Sequence, residues 1–366
     1  MNPLIPAPVP IPLPAPVWLL QSLSVFTFIL HLLLMNCLVG GVVLLCLSAY
    51  RGRHDPQHRE LVRRIAPVMP SVVSFTITFG VAPLLFLQLV YGQFFYTSSV
   101  LMAWGWLSVL LFLLIGYYGI YWFSFHQDEL GSRQFWVILV TAAMFLAVMV
   151  LFSRNLSFML HPADFYPRFL ARGAGGFLAP PNPATWARLM HVFVSALGVA
   201  GLGLALLAGA WRRESADLAA WARRYGLRWF RTWIGVELLV GIWLLWRLPV
   251  EIRAQFLGAD RLSTGILLLA VVMVVLAMWA APKSLTVGAV ALAGTLSLMA
   301  VIRQLVRVAY LRPYFDPHAL PVQGQWVVFA IFAILLVAGL ATMGWMLYQL
   351  FRRAPAAGPT TPVSPP

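Results

Sequence analysis

Residues 24–45 read SVFTFILHLLLMNCLVGGVVLL, an apolar run interrupted by a single histidine, His31. From Val17 to Tyr50 there is no Asp, Glu, Lys or Arg, and Arg51 closes the stretch. About 20 apolar residues, rising roughly 1.5 Å each, cross a hydrocarbon layer of about 30 Å, so this run predicts a membrane-spanning helix. The same reading repeats along the chain. Nine spans are expected, at roughly 17–50, 68–92, 100–125, 134–154, 184–211, 229–248, 263–281, 284–308 and 325–351. The 366 residues are 61% hydrophobic and 10% charged, with a mean hydropathy of +0.85. The expected fold class is all-α, a polytopic integral membrane helical bundle forming one domain over 17–351.

The formal charge of +14 does not point to nucleic acid. The basic residues are arginines in short loops, with Lys283 the only lysine. Arg51, Arg53, Arg59, Arg63 and Arg64 follow the first span, and Arg212, Arg213, Arg223, Arg224 and Arg228 follow the fifth. Arg352 and Arg353 follow the last. With nine spans these fall on one side, so the positive-inside rule expects the N-terminus outside and the C-terminus in the cytoplasm. The expected location is a bacterial inner membrane, crossed many times, with membrane lipid as a partner. Residues 1–16 hold seven prolines and no charged side chain, and are expected to form an extended, uncleaved outer lead-in. Residues 352–366 are expected to be a disordered cytoplasmic tail. Cys37 and Cys46 lie nine residues apart on the first helix, too far along its axis to bridge. No Cys-x-x-Cys-His occurs, so the chain does not attach a c-type haem itself.

Four polar residues share one depth. His31, Arg154, His191 and Arg303 each lie 20 or 21 residues from a basic residue at the inner end of its span: Arg51, Arg133, Arg212 and Lys283. Two imidazoles can ligate a metal or haem iron, and guanidiniums pair with carboxylates such as haem propionates. Arg307, spaced i+4 from Arg303, faces the same way. Two other readings stand beside this one. The histidines can be bonded to a backbone carbonyl, and the arginines can snorkel to lipid headgroups. Glu237 is the lone carboxylate within a span, nine residues from Arg228. It is a candidate proton relay or ion site, or a protonated structural group. His54, His58, His126, His161 and His318 read as solvated.

The segment NPATWARLMHVFVSAL, 182–197, resembles the asparagine-proline … arginine-x-x-histidine stretch of subunit I of cytochrome bd quinol oxidases. There the histidine binds the low-spin haem b. Residues 24–45 resemble that subunit's first helix, which also carries a haem-ligand histidine. TFGVAP (78–83) resembles the turn of its second helix, SRNLS (153–157) its serine-asparagine-leucine-serine segment, and IRQLVR (302–307) its glycine-arginine-glutamine-proline site. The resemblance implies one or two b-type haems near the outer face, with His31 and His191 as iron ligands and Arg154, Arg303 and Arg307 around the propionates. It implies electron transfer with a periplasmic cytochrome c or a sister membrane subunit.

The departures are specific. The family places a glutamate three residues before the arginine of the eighth helix, where this chain has Ala300. The acids of the third helix are missing from 100–125. The methionine expected two residues after an arginine opening the seventh helix is Ser263, after Arg261. The outer quinol loop shrinks to 249–262. Terminal oxygen reduction by this chain alone is therefore not expected. The alternatives are a haem-free membrane scaffold or assembly subunit, and a proton or solute transporter using Glu237.

Overall fold

The computed structural model describes residues 6–8, 11–127, 129–179 and 181–352. The expected tail beyond Arg352 and part of the Pro-rich lead-in lie outside the described residues. Among those described, twelve α-helices follow one another: α1 (Val17–Arg51), α2 (Pro56–Ile65), α3 (Met69–Leu101), α4 (Ala103–His126), α5 (Gln134–Phe158), α6 (Phe165–Arg172), α7 (Thr185–Leu207), α8 (Ala216–Arg247), α9 (Val250–Ala254), α10 (Arg261–Ala280), α11 (Leu285–Leu311) and α12 (Trp326–Arg352). Nine helical segments among them are long and apolar enough to cross a membrane, with α2 and α3 counted as one. The chain is a multi-pass membrane protein. Described parts of the lead-in dock rather than hang free, since Leu13 bridges Val322 in parallel and the Gln325 amide donates to the Pro14 carbonyl at 2.8 Å.

The short helices are what the spans alone did not reveal. The 51–67 loop contains α2, which starts where Asp55 accepts from the Gln57 amide and Pro56 occupies the first turn. Leu61, Val62 and Ile65 turn one face of α2 into the core. His58, read as solvated, is instead buried on that face. Its ring meets Trp221 and Tyr225 edge-on, each at 5.1 Å. In the 155–183 loop, α6 ends at Gly173, whose φ of 64° needs no Cβ to avoid. Pro83 lies inside α3, and that helix leaves helical geometry at Tyr91 (φ −126°).

Helices meet through small residues. A Cβ at Gly40 of α1 would strike the Ala196 carbonyl of α7. A Cβ at Gly226 of α8 would lie 2.6 Å from the Gly201 carbonyl oxygen and 2.9 Å from the Ala205 nitrogen of α7. In an apolar medium such close backbone approach is the main source of helix association. Three apolar clusters result. One, at the arginine-rich end, joins Leu45, Leu61, Phe123, Ile138 and Leu204. One at the opposite end joins Leu20, Phe94, Phe158, Leu248 and Leu311. The third ties α10 and α11 to α1, α7 and α8 through Leu32, Phe230, Val274 and Leu296.

Gly226→Val should push α7 from α8 and destabilise the bundle by about 1–3 kcal/mol, the range for overpacking. Thermal unfolding in detergent checks this. Gly235→Val, at a position where a Cβ meets nothing within 4 Å, should unfold like the parent.

Candidate functional site

His31 of α1 sits against α3. Its Nδ1 lies 3.0 Å from the Thr76 carbonyl oxygen. A carbonyl only accepts, so Nδ1 carries the proton and Nε2 keeps a lone pair. The ring fills a notch that glycine leaves, because a Cβ at Gly80 would lie 2.9 Å from Cε1. On its other side the Phe28 ring stands 6.3 Å away, and the Arg303 guanidinium of α11 lies 4.2 Å over that phenyl face.

His191 of α7 meets Glu237 of α8, with Nδ1 2.7 Å from Oε1. The separation is that of an ion pair, although the atoms are not aligned as a hydrogen bond, and Oε2 finds no donor among the described residues. A proton held on Nδ1, on the Glu237 side of the ring, would leave Nε2 as the lone-pair nitrogen. Carboxylates orient metal-binding imidazoles in this way. Gly241 lies one turn beyond Glu237, and a Cβ there would make only an ordinary contact with the ring, 3.6 Å from Cε1. Glu237 thus lies against the histidine rather than forming a separate intramembrane acid.

The arginines divide into two groups. Arg303 has no hydrogen-bond or ion-pair partner among the described residues, and Arg188 and Arg307 are near enough for their charges to interact with it. Arg307 does not reach for solvent. It is 5% exposed, donates to Gln304 Oε1 at 2.6 Å and lies over the Tyr91 ring at 5.7 Å. Tyr91 in turn accepts from Gln304 and Gln21. Arg154 instead works on the 155–183 loop, donating to the Ala179 carbonyl and lying over the Trp186 ring at 5.6 Å. Its Nε has no partner among the described residues.

The rest of SRNLS and NPAT forms a clasp that the sequence reading missed. Asn155 accepts from Ser98 and donates to Ser99, holding α5 to α3. Ser157 accepts from Arg188 at 2.8 Å. Asn182 Nδ2 and His161 Nδ1 both approach the Ser157 carbonyl, at 3.3 and 3.0 Å. Just ahead of α7 the Asn182 side chain accepts from the Ala184 amide, while Thr185 accepts from the Asn182 amide. His161 is therefore a partly buried clasp residue rather than a solvated one. The signal was the polar density of these two motifs beside a loop rich in Pro and Gly.

Among the described residues, no three His, Cys, Asp or Glu side chains gather as a metal-ion site. Paired with that, two imidazoles with open Nε2 atoms suit an iron already held equatorially by a macrocycle, which needs one or two protein ligands. The unmatched guanidinium of Arg303 suits its carboxylates.

The bundle has the fold of a cytochrome bd oxidase subunit, resembling subunit I. The solved bd oxidase from Geobacillus thermodenitrificans matches it with a TM-score of 0.71, over 94% of this chain and 100% of that one, at 15% identity. No protein-family model matches the sequence, and no curated protein sequence matches it.

Burial lowers the His161 pKa from its ordinary 6.5, opposed by the Ser157 carbonyl. The folded state then binds fewer protons than the unfolded one, so stability is full above about 6.5 and erodes as pH falls below it. Thermal unfolding from pH 8 to pH 5 should fall less steeply in His161→Gln than in the parent, if both are compared over that same range.

Proposed function

We propose that this chain is a haem b-binding membrane subunit of an electron-transfer complex, of the cytochrome bd subunit I type, passing electrons near its outer face. The observation that carries the reading is the fixed tautomer of His31, whose Nδ1 is committed to Thr76 and whose Nε2 is left as a ligand atom. The His191–Glu237 pair supports it by the same logic on the facing helices. His31 and His191 would hold one or two haems, and Arg303, Arg307 and Arg154 would line the carboxylate side. Bound haem would supply a one-electron couple whose potential is set by axial ligand and nearby charge.

The chain's own residues do the remaining work. Thr76 and Glu237 orient the imidazoles, Gly80 lets that of His31 seat, and Arg303 and Arg307 would add positive charge that favours the reduced iron. Glu237 can also take up a proton as that charge changes, which joins the proton-relay expectation to the histidine site. A sister membrane subunit or a periplasmic cytochrome c would be the electron partner in an inner membrane. Oxygen reduction by this chain alone does not fit, because Ala300 replaces an acid and α4 carries none. That same loss favours the second reading, a haem-free scaffold that keeps the fold.

The test is the spectrum of the purified protein. A Soret band with reduced α-bands is expected, and a pigment-free preparation from cells supplied with haem would favour the scaffold. His191→Ala and His31→Ala should each abolish or reshape an α-band; a folded variant with an unaltered spectrum removes that histidine from the site. Quinol-driven oxygen uptake should be negligible without another subunit. Arg303→Leu should lower the midpoint potential by on the order of 60 mV, the one-electron equivalent of about 1.4 kcal/mol. Arg307→Leu should lower it less, because its guanidinium is already shared with Gln304.

A further inference from the structure

Arg188 of α7 lies one turn before His191, and side chains at that spacing share a helix face. Its Nη1 donates to the Ser157 hydroxyl of α5 at 2.8 Å. The Tyr310 hydroxyl of α11 lies beside it, within hydrogen-bonding reach. The His161 ring in turn packs on Tyr310, with 5.2 Å between ring centres. Two neighbouring helices and the clasp therefore hold this guanidinium in place. Its other terminal nitrogen, Nη2, is buried and has no partner among the described residues. A buried donor left without an acceptor is costly, and more so on a charged group.

Arg188 does not stand alone. Arg303 of α11 is near enough for the two charges to repel, and Arg307 adds to that repulsion. Among the described residues no carboxylate forms an ion pair with any of the three. Glu237, the acid within the spans, is taken by His191. Like charges gathered in an apolar bundle repel strongly there, and a carboxylate is the group that offsets them.

We propose that Arg188 is a further binding residue of the haem site, sharing with Arg303 a carboxylate of the bound macrocycle, and that Ser157 and Tyr310 position it. The inference rests on the haem reading and adds to it a residue on the helix face of the ligand His191. Guanidiniums meet carboxylate oxygens through N–H groups set at fixed angles, so an arginine whose Nη1 is already tied presents Nη2 in one direction. A snorkelling arginine would instead carry its nitrogens out to the headgroups.

The test uses the purified full chain, prepared from cells not supplied with haem and titrated with haem b or with haem b dimethyl ester. The ester keeps the ring and the iron and has neither free carboxylate. Affinity is read from the Soret absorbance. The parent should bind haem b more tightly than the ester. Arg188→Gln should weaken haem b roughly tenfold, the worth of one charge-assisted hydrogen bond, and leave the ester within about twofold of the parent. Arg188→Lys, which keeps the charge and loses the fork, should fall between the two. Tyr310→Phe should show a smaller loss of the same selective kind. Arg312→Gln, exposed just past the end of α11, should bind both ligands as the parent does. An equal loss of haem b and ester in Arg188→Gln marks a structural role and overturns the inference, as does a parent that binds both ligands alike. A parent that binds neither overturns the haem reading and this inference with it. A parent that prefers haem b, with Arg188→Gln unchanged, overturns this inference alone. Should Arg188→Gln not fold, a selective loss of haem b in Arg188→Lys supports the assignment and its absence overturns it.

Discussion

The backbone contact of α7 with α8 at Gly201 and Gly226 sets the geometry on which the site depends. The two helices run antiparallel and touch where neither has a side chain. His191 lies ten residues before Gly201, and Glu237 lies eleven residues after Gly226. At about 1.5 Å per residue the distances are about 15 and about 16.5 Å, so fixing the crossing brings the imidazole nearly level with the carboxylate. The Gly40–Ala196 approach does the same for α1 and α7, and carries His31 and Arg303 to the same end of the bundle as His191.

Within such a bundle no water is at hand to satisfy a misplaced polar group, and each one left unmatched costs free energy. That constraint explains why the imidazoles are tied at Nδ1, one by a carbonyl and one by a carboxylate. It also separates ordinary from unusual burial. Thr27, Ser74, Thr76 and Thr295 return their hydroxyls to carbonyls of their own helices. Neither amide atom of buried Asn36 finds a partner among the described residues, and half-buried Arg303 rests on the Phe28 ring. For a neutral amide this is a modest penalty.

Legibility followed the same physics. The bilayer sets a length threshold, so the spans could be counted from apolar runs, and counting from the basic residue that ends each run put His31, His191 and Arg303 in one layer. Which way each helix turns about its own axis could not be counted. A helix such as α1, apolar on nearly every face, offers no amphipathic stripe to orient His31 toward Thr76. The Glu237–His191 pair was hidden for the same reason, since the two residues are far apart in the chain and joined only through a glycine crossing. His58 and His161 were misread because a loop rich in arginine or proline was taken as wet, whereas α2 and the NPAT clasp fold those loops onto the bundle. Asp55-Pro56 followed by Leu61, Val62 and Ile65 was a readable helix signal.

One position on α11 bears on the charge around the proposed site. Ala300 is buried in α11 one turn before Arg303, where i and i+3 side chains meet on a helix. A glutamate there would pair with Arg303 from within its own helix and neutralise it. With alanine in that place the guanidinium rests on the face of Phe28, beside two further arginines, and the local charge is positive. The alanine thus leaves positive charge close to His31. Were a dianionic cofactor bound there as proposed, positive charge of that kind would suit its carboxylates and raise its potential.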